Sequence, residues 1–371
     1  MPSSTRAKST DTLPETHRVA VHTRVGEVVV EDRAVPEAEP GRVVVEVSHC
    51  GICGSDIHMI MEGWGRPGSV HGHEYSGVVV AVGDGAEGWL PGDEIVCGAS
   101  PRCGRCEGCR SGQPSQCTNR HGVMGDDHDG AYARFVSVDA RSLLRIPSGL
   151  SLRVAALAEP LAVALHGITR SGIVEGQFAI GRGPSAMVFG AGPIGALTAA
   201  VLLARGIGPV TVVEPAPSRQ RLARDLGVDR VVHPDELPTF GIHQPEELAP
   251  HAARVVFECS GKKAAMEAGL QQVARGGTFV MVGAGIEPPT FDGNRILLNE
   301  LTIVGSYVYD ADGFERALDL LASGDLPTDV LIEPDDVPLD GLLDAMTGLA
   351  RGEIAGKVMI VPAGRAKEDR P

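Results

Sequence analysis

Three glycines at fixed spacing, Gly190, Gly192 and Gly195, constrain this chain of 371 residues more than any other feature it carries. They follow a short apolar run at 187–189 and precede a helical pattern at 194–205, with a second apolar run at 210–213. Strand, glycine turn, helix and strand in that order predict a βαβ unit, repeated more loosely through 255–258 and 278–282. Glycines there let the backbone approach a pyrophosphate, and the helix N-terminus that Pro193 and Ile194 open supplies unpaired N–H groups to bind it. Glu214 ends the next strand. A carboxylate at that point accepts hydrogen bonds from an adenosine ribose diol and repels a 2′-phosphate, although an ordinary solvated strand end would look the same. Arg219 stands close enough in sequence to offset part of that repulsion.

At about 150 residues per domain, the length favours two domains or three. Residues 18–138 carry short alternating runs, 28–30, 43–47 and 78–82 among them, cut by Gly and Pro, which is all-β texture with functional loops. Beyond Tyr309, residues 314–323 have helical periodicity and 357–361 suit a closing strand. The expected organisation is an α/β dinucleotide-binding unit over 169–308, inserted into a β-rich domain that spans 17–168 and is completed by 309–371. Residues 1–16, rich in Ser, Thr and Pro, are expected to form a disordered leader.

With 48 acidic against 33 basic residues the net charge is −15, and no run of Lys or Arg makes a basic face. Nucleic acid and anionic membrane are therefore disfavoured as partners, and a small molecule is expected instead. Glycine supplies 48 residues, nearly twice the typical share of about 7%, and aromatics only 4%, so tight turns and an aliphatic core are expected. The longest apolar stretch, 154–168, is broken by Glu159 and Pro160 and falls short of the roughly 18 residues a spanning helix needs. A cytoplasmic, reducing setting is expected for the eight cysteines, where close spacing points to metal before disulfides.

Cys103, Cys106, Cys109 and Cys117 fall in a segment (about 97–120) with almost nothing to bury. Four thiolates close a tetrahedral shell around zinc with no position left for chemistry, so a structural site is expected; an iron–sulfur cluster would use the same four residues. A second group is looser. Cys50, Cys53, Ser55, Asp56 and His58 precede Gly72, His73 and Glu74, and one thiolate, one imidazole and one carboxylate make an incomplete zinc shell open to a water or substrate oxygen. Taken alone, Cys50 and Cys53 could be a redox pair, His73 a core histidine and Glu74 a turn residue. Glu159 interrupts an apolar run, where a carboxylate is costly unless paired or metal-bound, yet it would also suit a helix start with Pro160 in the first turn. Cys97, Cys259 and His166 are expected to be packed. Trp64, Trp89, Tyr307 and Tyr309 are candidates either to rim a pocket or to pack.

Together these residues resemble the zinc-dependent medium-chain alcohol dehydrogenases, from about Arg18 to Val361. The motifs that carry the likeness are Cys-Gly-Ile-Cys-Gly-Ser-Asp-Ile-His from Cys50, Gly-His-Glu from Gly72, the four-cysteine lobe, Glu-Pro-Leu from Glu159 and the glycine turn from Gly190. The resemblance implies a Rossmann domain inserted in a GroES-like catalytic domain, with two zinc ions per chain. It implies Cys53 and His73 as ligands of the catalytic zinc. Glu159 stands where the best-known members have a further Cys, and this resembles the polyol and threonine dehydrogenase branch, in which Glu74 often ligates and the later Glu acts directly or through water. Ser55 and His58 match the family's proton relay, Asp56 the partner of a ligand histidine, and Lys357 a basic residue near the cofactor phosphates. Residues 177–185 make a longer linker than the family's usual one.

The reaction implied is reversible oxidation of an alcohol, secondary or polyol, with hydride passing to NAD, in a homo-oligomer (dimer or tetramer). Two alternatives stand beside it. A zinc-free enone or quinone reductase on the same fold would not need Cys53, His73, Glu74 or the lobe, and a non-catalytic nucleotide-binding protein would not need an intact Ser55 and ligand set.

Overall fold

A parallel sheet interrupts an antiparallel one. The computed structural model describes residues 13–97, 103–119, 129–173, 186–241 and 243–363. The antiparallel region is built on the strand Arg42–Gly51, which pairs with Glu74–Val82 on one side and with Phe135–Asp139 and Met359–Val361 along the other, within a seven-stranded sheet. Valines dominate its buried positions: Val43, Val45, Val47 and Val79 join Tyr75 and Tyr132 in one core. A hairpin, Thr16–Arg24 with Glu27–Ala34, lies against it through bridges at Val19–Ala133 and Val21–Val70.

The six-stranded sheet runs in the order Arg230–Val232, Val210–Val213, Ala186–Phe189, Ala253–Glu258, Val273–Met281, Thr302–Gly305, every pair parallel. This is the doubly wound order, with its switch point beside the first strand, where ligands of such sheets bind. The strands expected at 187–189, 210–213, 255–258 and 278–282 and the helices expected at 194–205 and 314–323 are all present, the helices as Pro193–Ala204 and Gly313–Ser323. Because Met359–Val361 returns to the first sheet, the parallel sheet is an insertion in the chain sense. The link is the helix Ala158–Ser171, apolar on nearly every side and buried accordingly, closed by Gly172 at φ +72°.

Residues 1–12 of the expected leader lie outside the described residues, and Thr16 already begins a strand. The 177–185 linker lies outside them too. Further helices carry no expectation from the sequence, Gly54–Met61, Pro217–Asp225, Lys263–Gln271 and Leu342–Ala350 among them, and the first of these carries the centre of the site.

Candidate active site

Cys53 caps the helix Gly54–Met61, and its N–H donates to Asp56 Oδ2 at 3.1 Å. Ser55 and His58 ride on the same helix one turn apart, which explains their spacing. Asp56 is buried, accepts from Tyr132 Oη at 2.6 Å and lies 3.5 Å from His73 Nδ1. Burial alone would raise its carboxyl, but the His73 charge and the bonds from His73 and Tyr132 outweigh that and hold it at about 2. Burial likewise opposes charge on the His73 imidazole, and here the Asp56 carboxylate and Cys53 thiolate reverse the sign and hold it well above its ordinary value. Tyr132 has no signal in the sequence; it reaches Asp56 because residues 130–132 are hydrogen-bonded along Val70, His71 and Gly72.

Sγ of Cys53, a ring nitrogen of His73 and a carboxylate oxygen of Glu74 all lie within 4.8 Å of one another. One thiolate, one imidazole and one carboxylate are zinc's own choice of donors, and Glu74 Oε1 is buried without a hydrogen-bond partner, so the residues fit a bound zinc ion. Glu159 does not belong to this set. It is buried in the first turn of Ala158–Ser171, as both readings of it required. Burial first, then the Glu74 and Asp56 charges, push its carboxyl up to about 7 against the pull of His73 and Lys357.

Lys357 is the one clear correction. The resemblance put it near the cofactor phosphates, but its Nζ donates to Glu74 Oε2 at 2.5 Å and to Ile52 O at 2.9 Å. Pairing of Met359 with Gly51 brings Lys357 to the chain beside Cys53 and to Glu74. Its ammonium is 2% exposed and that carboxylate 0%. Burial disfavours the lysine charge, and the Glu74 and Cys53 anions raise its pKa nonetheless.

The four cysteines of the lobe also converge within 4.8 Å, around the short helix Glu107–Arg110. Cys103 Sγ is 3.9 Å from Cys109 Sγ and 3.6 Å from Cys117 Sγ. Thiolates at about 2.3 Å from a tetrahedral zinc stand roughly 3.8 Å apart, so the lobe has the dimensions of a closed zinc shell. Backbone N–H groups of Cys109 and Thr118 pull the Cys106 thiol down to about 5, towards the thiolate a metal requires.

At the glycine turn, Gly190 has φ +88°, and a Cβ on Gly195 would lie 1.8 Å from Gly190 O, so both glycines are demanded by the fold. Gly192 differs. A Cβ there would meet nothing nearer than Arg219 Cζ at 3.8 Å, so packing within the protein does not by itself demand glycine at this position. Arg219 therefore stands beside the turn, anchored to Leu349 O at 2.6 Å, where a pyrophosphate would pass. Glu214 is buried and accepts from Ala191 N at 2.7 Å and Ala216 N at 2.8 Å, which ties the end of its strand to the turn. Glu258, which the sequence marks only as the end of a strand, closes the other side: buried at the end of Ala253–Glu258, it accepts from the N–H groups of Ser260 and Gly261.

Cys50 is buried outside the metal set, its thiol pushed up by burial, which argues against a redox pair with Cys53. Cys97 is buried, and burial lifts the Cys259 thiol beyond its usual range. His166 packs with Asp310, 2.8 Å away. Trp89 donates to Ala140 O, Tyr309 is buried edge-on against Phe314, and Tyr307 and Trp64 are exposed.

A doubly wound nucleotide-binding sheet inserted beside an open cluster of zinc donors defines a dinucleotide-dependent metallo-oxidoreductase. Comparison with known proteins makes this specific. The alcohol dehydrogenase GroES-like domain matches residues 39–148 and the zinc-binding dehydrogenase domain residues 193–323. A 2-dehydro-3-deoxy-L-galactonate 5-dehydrogenase of Pseudoalteromonas atlantica is 37% identical, covering 80% of this chain and 85% of its own. A sorbitol dehydrogenase of Bacillus subtilis is 29% identical over 95% of this chain and 99% of its own. The 2R,3R-butanediol dehydrogenase structure from Bacillus subtilis superposes with a TM-score of 0.80 at 29% identity, covering 93% of this chain and 99% of that one. The chain belongs to the zinc-dependent medium-chain alcohol dehydrogenases, in their polyol dehydrogenase branch.

Proposed function

We propose that this oxidoreductase catalyses the reversible, NAD-dependent oxidation of a secondary alcohol or polyol to the ketone or aldehyde at a zinc held by Cys53, His73 and Glu74. The observation that carries the reading is the convergence of those three donors beside the helix bearing Ser55 and His58. Bound zinc supplies Lewis acidity towards the substrate hydroxyl, and bound NAD accepts the hydride. Ser55 takes the hydroxyl proton and His58 delivers it to solvent. Asp56, itself held by Tyr132, orients the His73 ring. Glu159 orients the exchangeable position from outside the donor set. Cys103, Cys106, Cys109 and Cys117 hold a second, structural zinc.

The turn from Gly190 to Gly195, with Pro193 and Ile194, receives the pyrophosphate beside Arg219, and Glu214 receives the ribose diol, which favours NAD over NADP. Substrates named for the relatives are hydroxyl-rich carbon chains, which supports the polyol class. A homo-oligomer is supported by the edge strand Thr302–Gly305, whose outer side has no neighbouring strand among the described residues, and by Leu297, 71% exposed. No helix among the described residues is long and apolar enough to cross a membrane. Free cysteines grouped as metal donors support a reducing, cytoplasmic setting. A zinc-free reductase would have no use for either cysteine-bearing cluster, and a non-catalytic binder none for Ser55 and His58. The test is a panel of alcohols and polyols assayed with NAD and with NADP on the zinc-loaded protein, read at the nicotinamide absorbance. Oxidation of a polyol at higher kcat/KM with NAD is expected; no turnover, or equal efficiency with NADP, refutes the activity or the cofactor choice respectively.

A further inference from the structure

The helix that presents Ser55 and His58 ends in a device of its own. Glu62 stands one turn beyond His58, and its Oε2 lies 2.5 Å from His58 Nδ1. An ionised carboxylate only accepts hydrogen bonds, so Nδ1 carries the proton and Nε2 keeps its lone pair. Gly63, at φ +83°, then turns the chain back, and Trp64 stacks on the imidazole with centroids 4.9 Å apart and 22° between the planes. The backbone N–H of Trp64 also donates to His58 O at 3.3 Å. The ring is held along one edge and across one face. Glu62 and Trp64 are both exposed, so neither is placed there by burial in the core.

We propose that Glu62 is a positioning residue for proton transfer, fixing His58 as the Nδ1–H tautomer so that Nε2 is the base, with Trp64 holding the ring in place. This rests on the dehydrogenase reading given above. The proton leaving the substrate hydroxyl would go to Ser55 Oγ as Ser55 yields its own to a bridging hydroxyl or water, which yields one to His58 Nε2; the imidazolium would release that proton to water, and bound NAD would supply the hydride acceptor. Glu62 gains and loses nothing; its charge stabilises the imidazolium while it lasts.

The experiment is a double-mutant cycle with Glu62→Ala and His58→Ala in the zinc-loaded enzyme, joined by a spectroscopic readout that needs no turnover. Glu62→Ala is expected to lower kcat about tenfold, the rate equivalent of a ~1.4 kcal/mol charge-assisted hydrogen bond, with KM for NAD unchanged. Once His58 is Ala, the Glu62 substitution should add nothing, and Glu62→Gln, which keeps an acceptor oxygen without the charge, should fall between wild type and Glu62→Ala. Long-range proton–nitrogen spectra of the histidine rings, with His58 assigned from its Ala variant, should show the Nδ1–H tautomer in wild type and its loss in Glu62→Ala. An equal loss of kcat in both backgrounds, no loss in either, or an Nε2–H His58 in wild type overturns the proposal. If His58→Ala turns over at the wild-type rate, the relay itself fails and the role of Glu62 with it. Wild-type protein that oxidises no alcohol refutes the dehydrogenase reading, while the tautomer spectrum still decides whether Glu62 governs His58.

Discussion

Replacing Lys357 with Met removes the one cation that, among the described residues, pairs with Glu74, and the size of the effect follows from the geometry. At 2.5 Å the pair's attraction is about 7 kcal/mol for an effective dielectric constant near 20, against a desolvation cost of several kcal/mol for the ammonium. Met keeps the volume of the lysine stem, so no large cavity opens. The carboxylate, however, is left buried with neither oxygen satisfied, since Oε1 has no partner to begin with. Truncating one member of such a pair costs about 3–5 kcal/mol, and that is the loss expected in metal-free protein. In zinc-loaded protein the dication stands in for the lost ammonium, and the loss should shrink by more than half. Urea unfolding of wild type and K357M, each chelated and zinc-loaded, measures both numbers; chelation strips the four-cysteine lobe in both proteins alike, so its contribution cancels. A loss below about 1 kcal/mol without metal would mean that Glu74 has another partner, and equal losses in the two states would mean that it does not face the zinc.

Cys103→Ser should lower melting temperature and solubility and reduce the zinc content from two ions per chain to one, because the lobe has little core to fall back on; iron and sulfide in wild type, or no lobe metal in reduced protein, would contradict this. Gly195→Ala should fail to fold, with its Cβ 1.8 Å from a backbone oxygen, whereas Gly192→Ala should melt like wild type and raise KM for NAD about tenfold or more. An unchanged KM would move the pyrophosphate elsewhere. Glu159→Gln should slow turnover and yet stabilise metal-free protein at alkaline pH. Its folded-state pKa, about 7, lies above the unfolded value, so the carboxyl's contribution is intact below about 4.5 and is lost as pH rises through 7. The gain of the Gln variant should therefore vanish on acidification; a gain independent of pH in thermal melts would show that Glu159 does not titrate in the fold.

The parallel sheet is legible in the sequence because its signals are local: an apolar run, a glycine turn and a helical period fit within about 30 residues, and the strand at Val210–Val213 falls where the pattern puts it. The four-cysteine lobe is legible for the same reason, its whole donor set lying on one short segment. Gly54–Met61 is not. It opens on glycine and is capped by Cys53, a poor capping type, and it holds because Asp56 reaches back to the Cys53 N–H while Tyr132, 76 residues on, pins Asp56. Without that helix the i,i+4 relation of His58 to Glu62 cannot be seen either.

Lys357 marks the deeper limit. Only the family resemblance points to Lys357, and it implies a role near the cofactor phosphates; the partner the structure gives it lies 283 residues away, brought within reach by the pairing of Met359 with Gly51 and Ile360 with Cys50. Lys357 lies two residues before that strand and is bridged to Ile332, so its reach to Glu74 rests on two long-range pairings that no local pattern encodes. The electrostatics of the metal cluster therefore depend on the last strand of the described chain. The whole parallel sheet, from Ala186 to Gly305, lies in the chain between Glu74 and Lys357, so this ion pair joins the two chain segments that flank the inserted nucleotide-binding unit.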